Sequence, residues 1–89
     1  MTVLLHPIPE KYLNRLNEPD KSRIKAALYN IGKEPQEGDI IPVTGQPGHF
    51  RVRAGSYRLL YRIKDDAIFV THIDPRGQVY SKKNKGKKR

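Results

Sequence analysis

The chain has 89 residues, no cysteine and a formal net charge of +9. That length predicts one domain with a limited core, and the missing cysteine excludes disulfide staples, thiolate metal sites and thiol nucleophiles. The longest apolar run is far short of the ~20 residues that span a bilayer, and MTVLLHPIPEK meets Pro7 without a basic n-region, so no signal peptide is expected.

TVLLH (2–6) is short, apolar and β-branched at its start, which predicts a first strand ended by Pro7 and Pro9. From Pro9 the pattern turns helical, with Ile8, Tyr12 and Leu16 spaced i, i+4, i+8 and Leu13 beside them. A second helix is better marked. Asn17 or Glu18 can cap it, Pro19 stands near its first position and Asp20 suits the positive end of its dipole. Ile24, Ala27, Leu28 and Ile31 form its stripe, and Gly32 and Pro35 stop it. The short link between the two predicts a helical hairpin.

Residues 34–48 hold Pro35, Pro42, Pro47 and three glycines and read as a loop, with Ile40, Ile41 and Val43 packing part of it on the core. Three strands are predicted next. HFRVRA (49–54) alternates Phe50 and Val52 against Arg51 and Arg53. Ala54-Gly55-Ser56 turns the chain into YRLLYRIK (57–64), and Lys64-Asp65-Asp66 turns it again into AIFVTHI (67–73), apolar on both faces as a central strand is. Pro75-Arg76-Gly77 breaks that strand. The order β-α-α-β-β-β predicts an α+β fold, a helical hairpin covering one face of a mostly antiparallel sheet.

Residues 81–89, SKKNKGKKR, carry six of the eighteen positive residues and none of the nine acids, leaving +3 on residues 1–80. Such a tail attracts a polyanion, whether RNA, DNA, an acidic protein or a membrane surface. A solubilising end is the plainer alternative.

The uncovered sheet face carries the chemistry. Arg51 and Arg53 share a face of one strand and Arg58 and Arg62 share a face of the next, so the hairpin turn can bring them together. Arg76 follows the last strand and Tyr80 stands four residues later. The planar fork of arginine suits phosphate, and Tyr57, Tyr61 and Tyr80 offer faces for base stacking. Against this, arginines on an open sheet face are often solvated, which is the preferred reading for Arg62 and Lys64, and Tyr57 and Tyr61 have the spacing of core residues. Arg58 stands out because it lies mid-hairpin among apolar residues, where an unpaired charge is expensive. His6, His49 and His72 lack metal-ligand spacing, so no metal is expected. Asp65-Asp66 reads as a turn.

VTGQPGHFRVRAGSYRLLYRI and VTHIDPRGQVY, with the element order, resemble the RelE/ParE superfamily of type II toxin–antitoxin toxins. The resemblance rests on Gly45, Phe50-Arg51-Val52-Arg53, Gly55-x-Tyr57-Arg58-Leu59-Leu60-Tyr61, Ile73 to Arg76, and Tyr80. It covers residues 2–80, implying a RelE-like toxin domain over 1–80; the basic tail over 81–89, flexible by its composition, is not part of the pattern. The resemblance implies a cytoplasmic, ribosome-dependent mRNA endonuclease that inhibits translation and is neutralised by an acidic antitoxin protein. Cleavage would proceed by attack of the 2′-OH on the adjacent phosphorus. By position the catalytic residues are Arg51, Arg53, Arg58, Arg76 and Tyr80; with such a substrate the basic residues Arg51, Arg53, Arg62, Lys82 and Lys83 are expected to bind RNA. Ribosome and mRNA are the implied partners; no membrane, metal or small-molecule cofactor is. Some RelE members carry lysine where Arg51 and Arg53 stand. Arginine, with a pKa above ~12, is a poor proton carrier, so proton transfer would fall to another group, such as His49 or His72, or to the ribosome. The same fold also serves ParE-like poisons of DNA gyrase, and a non-catalytic RNA- or ribosome-binding protein is a third reading.

Overall fold

The computed structural model describes residues 1–75. Thr2–Leu5 (β1) leads through His6 directly into helix α1, Pro7–Arg15, and α2 follows over Asp20–Ile31. Four strands come next: β2 Asp39–Pro42, β3 His49–Ala54, β4 Tyr57–Lys64 and β5 Ala67–Pro75. They form one sheet in the order β1-β5-β4-β3-β2, with β1 parallel to β5 and the other pairs antiparallel. This is the expected α+β architecture with one strand more than the sequence showed.

The additional strand is β2. The stretch read as loop runs antiparallel to β3 with Asp39 opposite Arg53 and Pro42 opposite Phe50. Proline is tolerated there because β2 is an edge strand and Pro42 is its last residue. Ile40 and Val43 are half-buried, as expected, but Ile41 is exposed on the other face.

Both helices cover the same side of the sheet. In α2 the expected stripe holds: Ile24 and Ile31 are fully buried and Ala27 and Leu28 pack beside them. Neither Asn17 nor Glu18 is its N-cap residue, which is Pro19. The Glu18 carboxylate nevertheless accepts from the Ser22 N–H at 3.1 Å and from the Ser22 hydroxyl, serving an otherwise unpaired first-turn donor. Gly32 ends the helix at a negative φ. Its lack of a side chain serves a close approach, since a Cβ there would stand 3.1 Å from Val3 Cγ2 and 3.2 Å from the Met1 carbonyl oxygen. In α1, which starts at Pro7, Tyr12, Leu13 and Leu16 pack inward as expected and Pro9 joins them, but Ile8 is 81% exposed.

Val52, Ala54, Tyr57, Leu59, Tyr61, Ile68, Val70 and Ile73 supply the sheet's side of the core. Tyr57 and Tyr61 are therefore core residues, not base platforms. The Tyr61 ring stacks on Phe50 at 5.6 Å. Tyr57 donates to Asp20 Oδ2 at 2.9 Å and meets the Tyr12 ring edge-on, tying β4 to the start of α2. Burial, the hydrogen bond to Asp20 and that carboxylate's charge push the Tyr57 hydroxyl up to about 12. A group raised in the folded state contributes stability below its unfolded pKa and loses it as pH rises through the folded one. Stability should therefore fall between about pH 10 and about pH 12. Tyr57→Phe is expected to cost about 1 kcal/mol at neutral pH and to flatten that alkaline fall. Raised hydroxyls at Tyr12 and Tyr61 keep a residual slope. Thermal midpoints of both proteins across pH 7–12 check this, and parallel curves would discount the bond.

Strand β5 carries an irregularity. Leu60 pairs with His72 and Tyr61 with Val70, so Thr71 is an extra residue in the ladder. A bulge shifts the two-residue side-chain phase. Val70 and Ile73 consequently both face the core, and His72 is exposed on the outer face. Among the described residues no helix is long and apolar enough to cross a membrane, and no cluster of three or more His, Asp or Glu could hold a metal.

Candidate nucleic-acid interface

The hairpin between β3 and β4 sets the site. Its loop is two residues, Gly55 and Ser56, shorter than the three-residue turn expected, and Gly55 takes φ 63°. Positive φ at the first loop position is what tight hairpins demand and what glycine supplies. The resulting register places Arg53 opposite Arg58, Arg51 opposite Leu60 and His49 opposite Arg62. Opposed residues share a face, so Arg51, Arg53, Arg58 and Arg62 all project from the side of the sheet that the helices leave open. The four arginines singled out in the sequence are brought onto one surface.

Their circumstances differ. Arg53 is exposed and pairs with Asp39 across the β2–β3 edge, Nε to Oδ2 at 3.6 Å. The Arg62 guanidinium lies 5.2 Å from the centre of the Phe69 ring. Arg51 and Arg58 line a pocket of about 350 Å³ with Ile41, Pro42, Val43, Thr44 and Leu60. Neither forms an ion pair among the described residues. The Arg58 Nε is buried and has no hydrogen-bond partner among the described residues. A buried donor left unmade costs about 1–3 kcal/mol, and the walls around it are mostly apolar. Asp74 stands level with Arg58 on β5 without pairing to it.

His72 projects beside Leu60 on the same face, its Nδ1 2.9 Å from Thr71 Oγ1. His49 stands opposite Arg62, its Nδ1 3.1 Å from the Pro47 carbonyl oxygen. Both candidate proton carriers thus sit on the open face, outside the pocket wall. Arg76, Tyr80, Lys82 and Lys83 lie outside the described residues. Sequence reasoning missed the wall formed by Ile41 to Thr44, the pairing of Arg53 by Asp39, and Phe69. Only the first left a signal, in the apolar residues of the proline-rich stretch.

A family model described as the ParE toxin of type II toxin–antitoxin systems, parDE, matches residues 5–80. The chain belongs to this ParE toxin family, within the RelE/ParE superfamily. It is therefore a toxin of a toxin–antitoxin pair. Solved structures agree on the fold. A chain of the archaeal RelE–RelB complex from Pyrococcus horikoshii OT3 superposes with a TM-score of 0.72 at 26% identity, covering 86% of this toxin and 96% of that chain. A chain of the toxin–antitoxin complex RelBE2 from Mycobacterium tuberculosis gives 0.69 at 26% identity, covering 84% and 96%. The isolated RelE toxin of E. coli gives 0.71 at 21% identity, covering 96% of each, a likeness of fold alone. A search of the curated proteins finds none that matches.

Proposed function

We propose that this ParE-family toxin is an mRNA endonuclease acting in the ribosome, inhibiting translation by cutting the message. The observation that carries the reading is the buried Arg58 Nε, without a partner among the described residues, in the pocket shared with Arg51. Spare guanidinium donors in a hollow of that size fit a phosphate, whose oxygens would accept from both arginines. The choice of RNA follows from the resemblance to the RelE branch.

In this reading Arg58 and Arg51 hold the scissile phosphate and neutralise charge on its non-bridging oxygens as the 2′-oxygen attacks phosphorus. The bond to the 5′-oxygen breaks, leaving a 2′,3′-cyclic phosphate and a free 5′-OH. The 2′-OH gives up a proton and the leaving oxygen gains one. Arginine suits neither task, so these fall to His72, to Tyr80, or to a group of the ribosome. DNA lacks the 2′-OH and would not be cut. Arg53, already paired, serves the rim; Arg76 by the family resemblance, and Lys82 and Lys83 by the charge of the tail, add cationic contacts. The partner in the neutral state is an acidic antitoxin, in line with the RelB-bound relatives.

A second reading, poisoning of DNA gyrase, draws on the ParE description of the family model. Mapping new mRNA 5′ ends after a brief pulse of expression in bacteria separates the two. The nuclease reading expects ends within translated frames, at a fixed position in the codon, absent for Arg58→Ala. Growth arrest without such ends would assign the toxin to gyrase, and neither effect would leave a binding protein.

A further inference from the structure

The outer face has an acid-free half. Register places Ile41, Arg51, Leu60 and His72 level across β2, β3, β4 and β5. The next level holds His49, Arg62, Phe69 and Leu4 across β3, β4, β5 and β1. Neither row contains a carboxylate; Asp39 and Asp74 belong to the row of Arg53 and Arg58 at the hairpin end. Successive rows are about 7 Å apart.

Phe69 is out of place on such a face. The open side of an antiparallel sheet normally reads polar, and the core is already served by its chain neighbours Ile68 and Val70, both fully buried. Phe69 faces the other way, half-exposed, with the Arg62 guanidinium over its ring and Leu4, 46% exposed, beside it. An aromatic with a planar cation on an uncovered sheet is a surface on which flat, electron-rich rings stack. A protein side chain could cover Leu4 and Phe69, but it would bury the Arg62 charge unless it also brought an acid. A nucleobase stacks without that cost, and its own backbone supplies the negative charge that Arg51 and Arg62 call for.

We propose that Phe69 and Arg62 form a stacking platform for a nucleobase of the RNA strand whose phosphate enters the Arg51–Arg58 pocket. The proposal rests on the RNA reading above and adds to it a subsite that holds a base instead of a phosphate.

The test uses the full chain and a 2′-O-methyl RNA hexamer, in which the nucleophile is blocked, made with bases or with abasic sugars throughout. By fluorescence anisotropy the wild type should bind the base-bearing hexamer about 5- to 100-fold more tightly. Phe69→Leu keeps apolar bulk for folding but has no π-face. It should abolish that preference and leave affinity for the abasic hexamer unchanged, whereas Arg58→Ala should weaken both hexamers alike. A preference that survives in Phe69→Leu overturns the platform, as does equal or absent wild-type binding of the two hexamers. Loss of antitoxin co-purification in Phe69→Ala with the base preference intact assigns the face to a protein instead. The endonuclease reading fails separately: base-dependent binding through Phe69 without in-frame mRNA ends leaves the platform standing on an RNA-binding protein.

Discussion

Arg58→Met is expected to make the toxin more stable and harmless at once. The Arg58 Nε is buried without a partner among the described residues, in a wall otherwise made mostly of Ile41, Pro42, Val43 and Leu60. Methionine keeps the length of the aliphatic stem and its contacts while removing a donor whose isolation costs about 1–3 kcal/mol. In a domain of this size each ~1 kcal/mol moves the thermal midpoint by about 4–8 °C, so a clear rise is expected. On the endonuclease reading, cleavage should by contrast fall by about 100-fold or more, the usual effect of removing one well-placed donor to transition-state charge. The pair of measurements is a melting curve and a count of in-frame 5′ ends. A variant that melts lower would mean that Arg58 is held by interactions that benefit the fold, and the argument from its isolation would fail. Undiminished ends would remove it from the reaction.

Tyr61→Ala should act in the opposite way, abolishing toxicity by unfolding the protein. Tyr61 is 1% exposed, stacks on Phe50 and lies under Gln36. Truncating a buried aromatic to alanine costs about 3–5 kcal/mol, a large share of the roughly 0.05–0.15 kcal/mol per residue available to a small domain. Tyr61→Phe keeps the ring and gives up only a long hydroxyl contact to Gln36 Oε1 at 3.5 Å. It should stay within about 1 kcal/mol of wild type and remain toxic. Circular dichroism melts and growth assays of both variants separate the roles. A folded but harmless Tyr61→Phe would show that the hydroxyl works in the site and that the core assignment is incomplete.

The residues that could be placed from sequence were those whose neighbours are local. The α2 stripe follows from helical spacing alone, and Phe50 and Val52 against Arg51 and Arg53 follow from strand alternation. The hairpin then forces the arginines together, so the surface was legible before the fold was known. What escaped depended on pairings that spacing does not encode. The short β2 strand exists because its edge position tolerates Pro42 and its Ile40 meets the core, whereas its composition reads as a loop. Asp39 is fourteen positions from Arg53, and only the β2–β3 register makes them partners. Ile8 fitted a helical repeat as well as Pro9 did, and the direct passage from β1 into α1 decided between them. Along β5 the extra residue Thr71 hides the alternation: a strand that appears apolar on both faces is a regular one whose phase changes once. His72, named as a proton carrier from sequence, could not be assigned to the open face for that reason.

The pairing of β1 with β5 has a bearing on how this toxin is made. Thr2 lies against Ala67 and Leu5 against Val70, and among the described residues β1 has no other strand beside it. Strand β1 must wait for β5. Contacts so far apart in the chain are slow to form, and the face that carries Arg51, Arg58 and Phe69 is completed only when β5 closes onto both β4 and β1. During its own synthesis the nascent chain is an incomplete sheet with an open edge, not yet the folded toxin. Completion of the sheet thus acts as a delay between translation of the toxin and its first opportunity to attack, an interval in which an antitoxin already present can reach it.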